Sequence, residues 1–143
     1  MVTVLDVATY ILRKQGQMTT WKLQKLCYYA QAWSLVWDEK PLFTAHIEAW
    51  ANGPVIPRLY SAHRGRFKVV PDDIGGNPDA LTAVHRETVD AVLKHYGGKS
   101  SRWLSQLTHK ERPWREARAG LEPGERGHAE ITHEAMAEYY DSL

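Results

Sequence analysis

The sequence contains a single cysteine, Cys27, so a disulfide within the chain is excluded. A chain without disulfides is typical of a reducing compartment, and we therefore expect a cytoplasmic protein. No uncharged run is long enough to cross a bilayer, and the N-terminus lacks the cleavage site of a signal peptide, so no membrane association is expected. The neighbours of Cys27 are apolar, which raises the pKa of a thiol and favours a small core residue over a nucleophile.

The sequence also lacks the motifs of the common enzyme classes. It has no Walker A or GxGxxG pattern, and its serines lack the glycine-flanked turn of a nucleophile elbow. Seven histidines are present, but neither HExxH nor CxxC spacing occurs. These absences predict a protein that is not an enzyme and that holds no metal and no cofactor. A small metal-dependent hydrolase is kept as an alternative hypothesis.

The net charge of the chain is +1, so neither sign of charge dominates. The basic and acidic residues are nevertheless unevenly distributed along the sequence. Residues 51–70 contain no acid, whereas residues 119–143 contain Arg126 as their only arginine or lysine among several acids. The stretch 58–68 interleaves basic residues with Tyr60 and Phe67, a pattern that suits single-stranded nucleic acid. A nucleic-acid-binding regulator that uses residues 58–68 is therefore the second hypothesis, although the near-neutral chain makes nucleic acid an unlikely partner. The same residues also suit contact with an acidic protein surface.

The longest helical pattern covers residues 20–37 and is apolar on most of its circumference. Such a helix must be covered on several sides, so we expect it to lie at the centre of the fold, capped by Thr19 or Thr20. The side chains expected to be almost fully buried, against the first helix and a helix at 83–96, are those of Leu23, Leu26, Ala30 and Trp33.

The remaining patterns predict several further helices and two short strands. The prediction is a mainly α fold, a single compact helical domain around a central buried helix at about 20–37, with short β-strands near 45–50 and 66–70. Residues 54–57 are predicted to form a tight turn, with a helix from Pro57 to His63. The helix opened by Thr82 is expected to face inward with Val84, Thr88, Ala91, Val92 and either His95 or Tyr96.

Four separated blocks carry a resemblance to a known family: KLQKLCYYAQAWSLVW, PLFTAHIEAWANGPVIPRLY, LTHKERPWREAR and ITHEAMAEYY. Together they resemble the Panacea domain family, the SocA-like group that is also described as GepA-like phage-associated proteins. The resemblance extends from about residue 5 to about residue 140, so residues 1–143 are expected to be a single Panacea domain. Ala51 and Asn52 depart from the more usual charged–aromatic pair, which leaves the surface of the turn before GPV open.

The family pattern falls on two groups of residues. A structural role is expected for Leu23, Gln24, Leu26, Tyr28, Tyr29, Gln31, Gly53, Pro54, Pro57, Thr108, His109, Pro113 and Trp114. The pattern also falls on Lys25, Ala30, Glu48, Ala49, Trp50, Val55 and Tyr60. For His109 we expect a ring that hydrogen-bonds within the domain near Trp114 or Trp50, without a metal.

The resemblance implies an antitoxin of a bacterial or prophage toxin–antitoxin module, which neutralises a cognate protein toxin, encoded by the adjacent gene, by direct binding. It leaves open whether neutralisation works by occlusion, refolding or delivery to a protease, so a protease or chaperone is a further candidate partner. Aromatic anchors flanked by arginine are typical of interface hot spots. The candidate contacts with the toxin are therefore Trp50, Val55, Arg58, Tyr60 and Arg64.

Overall fold

A computed structural model describes residues 1–143, and short connections join its elements. In chain order these are α1 (Val4–Gln15), β1 (Met18–Thr19), α2 (Thr20–Trp37), β2 (Ile47–Trp50), β3 (Gly53–Val55), α3 (Pro57–His63), β4 (Lys68–Val69), α4 (Pro71–Ile74), a 3₁₀ turn (Pro78–Ala80), α5 (Ala83–Tyr96), α6 (Ser101–Lys110), α7 (Arg112–Ala117), β5 (Glu130–Ile131) and α8 (His133–Asp141). Helices dominate and the strands are short, which confirms the predicted mainly α fold.

The central position predicted for α2 is confirmed. Leu23, Leu26 and Ala30 are each 0% exposed, and α2 packs against α1, α5, α6 and α8. The prediction of nearly full burial was wrong for Trp33, which is only partly buried. Its indole Nε1 donates to the hydroxyl of Tyr96 at 3.0 Å, and its ring stacks on that of Trp37 at the exposed end of the helix.

The helix starts follow local chemistry that the sequence shows directly. Thr3, Thr19, Thr82, Ser100 and Thr132 each accept a hydrogen bond from the backbone N–H three residues later, at the starts of α1, α2, α5, α6 and α8. These bonds satisfy N–H groups that have no partner inside a helix. The prediction for the start of α2 is thereby resolved in favour of Thr19.

The strands form two small antiparallel sheets, one of β1 and β4 and one in the order β3–β2–β5. In β2, Ile47 and Ala49 are buried while Glu48 and Trp50 are partly exposed, which is the alternation expected of a half-buried strand. The tight turn predicted for residues 54–57 was wrong, because Gly53–Val55 pairs with β2 and the turn lies at Ala51 and Asn52. The helix that begins at Pro57 is confirmed.

The inward face of α5 differs in part from the predicted one. The buried residues are Thr88, Val89, Val92, Leu93 and Tyr96. Val84 is 53% exposed and Ala91 is also exposed, so their predicted inward orientation was wrong. The two residues lie seven apart on one stripe of the helix, and that stripe is on the solvent side of the contact with α2.

All the buried hydrophobic side chains except Val55 belong to one continuous cluster of 32 residues, to which α1, α2, α5 and α8 all contribute. None of the helices combines the length and the apolar character that a membrane crossing requires.

Candidate partner-binding groove

Two surface cavities adjoin at the turn between β2 and β3. The first, of about 330 Å³, is lined by Trp21, Trp50, Ala51, Asn52, Tyr60, Arg126, Gly127 and His128. The second, of about 270 Å³, is lined by Trp21, Asn52, Ser101, Arg102, Ser105 and His109. Because Trp21 and Asn52 line both cavities, the two lie side by side, and we call them together the hairpin groove.

The aromatic wall of the hairpin groove is fixed around Trp50. Its ring meets those of Tyr60 and His128 edge to face, with centroid distances of 5.1 and 5.9 Å. Its indole Nε1 donates to Oε1 of Glu48 at 2.9 Å, and the other carboxylate oxygen lies 2.7 Å from Nε2 of His46. Burial raises the pKa of Glu48, but the hydrogen bonds from Trp50 and His46 outweigh burial and leave it lowered. Glu48 therefore holds the indole in place as an anion.

The floor beneath this wall joins two sequence blocks that are far apart in the chain. Trp114 Nε1 donates to the backbone oxygen of Trp50 at 2.8 Å, and Arg118 Nη1 donates to that of Ala49 at 3.1 Å. The ring of His109 stacks on Trp114 with a centroid distance of 4.1 Å and an interplanar angle of 11°. The C-terminal end of α6, α7 and the following arginine are thereby fixed to strand β2.

Lys25 of α2 lies directly under the hairpin and is 0% exposed. Its Nζ donates to the backbone oxygen of Pro54 at 3.2 Å and lies 5.3 Å from the ring centre of Trp21. Burial lowers the pKa of Lys25 to about 7. Gly53 has φ +126°, and a Cβ there would lie 2.6 Å from Cε of Lys25, so the close approach of hairpin and lysine requires glycine.

His109 lies against Trp114, where the sequence placed it. Burial lowers the pKa of its ring, and the charges of Lys25 and Arg118 lower it further, while hydrogen bonding to the backbone of Asn52 acts in the opposite direction. We expected this ring to hydrogen-bond within the domain, but its Nε2 is buried and has no hydrogen-bond partner within the chain. No group of three or more His, Cys, Asp or Glu side chains is arranged to hold a metal ion.

A comparison with protein-family models matches residues 23–115 to the family described as antitoxin SocA-like, Panacea domain. The chain belongs to this family. The comparison with curated proteins and the comparison with solved structures each found no match.

The part of the chain that matches the Panacea model contains most of the groove. The matched range includes Lys25, the β2–β3 hairpin and His109. Trp21, Arg126 and His128 line the groove from outside that range. The family-matched residues therefore supply the hairpin side of the groove, and Trp21 and the segment before β5 complete its lining.

The groove contains some of the contacts proposed from the sequence and not others. Trp50 and Tyr60 line it together. Val55 is 0% exposed, so its side chain is a core residue and not a contact surface, which corrects the prediction. Arg58 and Arg64 are exposed but do not line the groove; Arg58 precedes Tyr60 by two residues and so points about 200° away around α3.

The remaining motif residues lie mostly inside the fold. Leu23, Gln24, Leu26, Tyr28, Tyr29 and Gln31 of α2 are all buried, as are Gly53, Pro54, Thr108 and Pro113, while Pro57, His109 and Trp114 are partly buried. Sequence reasoning missed Trp21, Arg126 and His128 as groove residues. Only their residue types, aromatic and basic, offered a signal, since nothing in the sequence placed them beside the hairpin.

Proposed function

We propose that the chain is the antitoxin of a bacterial or prophage toxin–antitoxin module, in which residues 1–143 act as a single Panacea domain. It neutralises a cognate protein toxin by direct protein–protein binding in the cytoplasm. Membership of the SocA-like antitoxin family is the observation that carries the proposal. The toxin is the product of the adjacent gene, and a protease or chaperone is a further partner if neutralisation involves delivery or refolding.

The chemistry of the hairpin groove supports recognition rather than catalysis. No carboxylate lines it, and its two serines, Ser101 and Ser105, lie without an adjacent base that hydrogen-bonds to them. Cys27 is fully buried, and burial raises the pKa of its thiol, so it cannot act as a nucleophile at the surface. We therefore propose a protein that is not an enzyme and that works without a cofactor.

The contact surface that we propose is the hairpin groove together with the outer face of α3. Trp50 and Tyr60 are partly exposed aromatic side chains, whose orientation is fixed before binding, and Arg58 and Arg64 are exposed nearby in the sequence. Large aromatic and arginine side chains supply most of the binding energy of protein interfaces, and prior ordering reduces the entropy lost on association.

Co-expression with the adjacent gene tests this proposal. We expect the wild-type chain to restore growth of cells that express the toxin and to form a complex with the purified toxin. The double substitution Arg58→Glu/Arg64→Glu should weaken both effects without unfolding the chain, since exposed substitutions usually change stability by less than about 0.5 kcal/mol. Lys40→Glu, which reverses an exposed charge outside the groove, is the matched control. A wild-type chain that neither binds nor protects would disprove the proposal.

A regulator that binds single-stranded nucleic acid is the second candidate function. Phe67 is 70% exposed, and Arg64 and Lys68 beside it are exposed as well. Against it, Arg66 is already paired with Asp73 at 3.2 Å. Binding of a labelled single strand that weakens steeply between about 50 and 200 mM salt would favour this function, because phosphate contacts release counterions.

A further inference from the structure

The hairpin groove is lined by basic side chains and by no acid. Arg126 and His128 line the first cavity, and Arg102 and His109 line the second. Glu48, whose carboxylate holds the indole of Trp50, also contacts His46 and His128; Nδ1 of His128 lies 3.5 Å from it. Most of the positive charge at the groove therefore has no carboxylate partner within the chain.

The basic groups beneath the groove have no acidic partner either. Lys25 donates to the backbone oxygen of Pro54, and Arg118 donates to the backbone oxygens of Ala49 and Glu125. A carbonyl oxygen satisfies a donor but carries no net charge. Arg118 consequently adds a fixed positive charge to the floor of an already basic depression, where partial exclusion of water strengthens its effect on a ligand.

We infer that the hairpin groove receives an acidic segment of the partner protein. In this arrangement an apolar or aromatic side chain of the segment lies against Trp50 and Tyr60, and carboxylates on either side of it reach Arg126 and Arg102. The inference rests on the proposed function and specifies the chemistry of the toxin surface that is bound. Carboxylates suit both guanidinium groups, which can donate two parallel hydrogen bonds to one carboxylate.

A short acidic peptide segment fits the surroundings of the groove better than a nucleic acid does. The segment that supplies Arg126 also carries Glu122 and Glu125, and Glu130 follows His128, all of them exposed. A chain of phosphates that continues past Arg126 would be repelled by these acids, whereas a few carboxylates confined to the groove would reach Arg126 and Arg102. The net charge of +1 agrees with this choice, since it provides no extended attraction for a polyanion.

The test uses the purified full-length chain and the purified product of the adjacent toxin gene in an inactive form. Calorimetry should show that Arg102→Glu/Arg126→Glu binds at least about tenfold more weakly than the wild type, and that Arg102→Gln/Arg126→Gln loses about threefold. Lys40→Glu, an exposed charge reversal elsewhere, should leave the affinity unchanged. Added salt should lower the affinity of the wild type more than it lowers the affinity of Arg102→Gln/Arg126→Gln. Thermal unfolding of each variant verifies the fold. If Arg102→Glu/Arg126→Glu proves to be unfolded, the affinity of Arg102→Gln/Arg126→Gln is used to test the inference.

Hydrogen exchange of the toxin in the complex should locate a protected segment rich in Asp or Glu. Replacing those acids of the toxin by Lys should weaken its binding to the wild-type chain and strengthen its binding to Arg102→Glu/Arg126→Glu. If both groove pairs keep wild-type affinity, the inference is wrong while the antitoxin proposal stands; if the wild type itself does not bind, the antitoxin proposal fails first. Loss of binding to a labelled single strand with unchanged toxin affinity would assign the groove to nucleic acid and overturn the inference.

Discussion

Gln24 and Gln31 lie about two turns apart on α2, and each side-chain amide pairs with backbone groups that lie outside any sheet. Gln31 accepts from the N–H of Leu42 at 2.7 Å and donates to the oxygen of Phe43 at 2.8 Å. Gln24 accepts from the N–H of Ile56 at 2.8 Å and donates to its oxygen at 3.4 Å. Each amide thus acts as a strand neighbour, so that irregular backbone can be buried against the central helix.

Replacing Gln31 by Leu should destabilise the chain by about 2–4 kcal/mol, because it leaves buried backbone groups of Leu42 and Phe43 without partners. Urea unfolding followed by circular dichroism measures the loss. Gln106→Leu, at an exposed position of α6, is the matched control and should change the free energy of unfolding by less than about 0.5 kcal/mol. Equal effects of the two substitutions would contradict the structural role of the Gln31 amide.

Lys25 should make stability depend on pH above neutrality. Its pKa falls from 10.5 in the unfolded chain to about 7 in the folded chain, so between these values the unfolded chain binds more protons. The free energy of unfolding should therefore increase with pH in this window, by up to about 1.4 kcal/mol per pH unit. Lys25→Met should remove this increase and raise the stability at pH 7.

Urea unfolding between about pH 7 and pH 9.5 measures the slope, which lies inside the window set by the two pKa values. Lys40→Met removes an exposed lysine and should leave the slope intact. A wild-type slope that persists in Lys25→Met would show that another group is responsible.

Gly53→Ala should cost more than Gly65→Ala. Both glycines have positive φ, +126° and +87°, so both substitutions strain the backbone. A Cβ at Gly65 has no heavy atom within 4 Å, whereas at Gly53 it would lie 2.6 Å from Cε of Lys25. In the background Lys25→Ala, the extra cost at Gly53 should shrink toward that at Gly65. A double-mutant cycle of unfolding free energies measures the coupling, and a coupling near zero would contradict a close approach of the two residues.

Glu111 should make the free energy of unfolding fall as the pH rises above the usual pKa of a glutamate side chain. It is 5% exposed, and its Oε1 accepts from the hydroxyls of Tyr29 and Tyr140 at 2.7 Å each. Burial raises its pKa, and the two hydrogen bonds lower it without outweighing burial. Between the unfolded value of 4.5 and the raised folded value, the folded chain binds more protons, so stability declines with increasing pH. Glu111→Gln should flatten this decline; an unchanged profile would show that Glu111 does not titrate there.

Local features of the fold were predictable from the sequence. The starts of five helices depend on a hydroxyl next to the first turn, so Thr3, Thr19, Thr82, Ser100 and Thr132 were identifiable as candidates without tertiary information. The alternation in β2 was equally visible, because it follows from one strand facing the core.

Features that depend on packing between distant segments were not predictable. A charged residue on a helix usually marks the solvent side, yet Lys25 is fully buried because the hairpin covers it and supplies a carbonyl oxygen. The two-residue strands β1 and β5 carry no periodic pattern and exist only through their partners. The same difference holds for the groove. Trp50 and Tyr60 were found because they lie close together within one block of the sequence, whereas Arg126 and His128 come from a segment much later in the chain.

The segment between Arg118 and β5 is attached at its two ends, by the guanidinium of Arg118 and by the pairing of β5 with β2. Residues 119–128 contribute no fully buried side chain, but they supply Arg126 and His128 to the groove. An exchange of these residues would therefore alter the charge and shape of one wall while leaving the core and the floor untouched. If the groove binds the partner as proposed, the residues that maintain the fold are separate from those that contact the partner, and we expect that grafting this one segment would change the binding specificity.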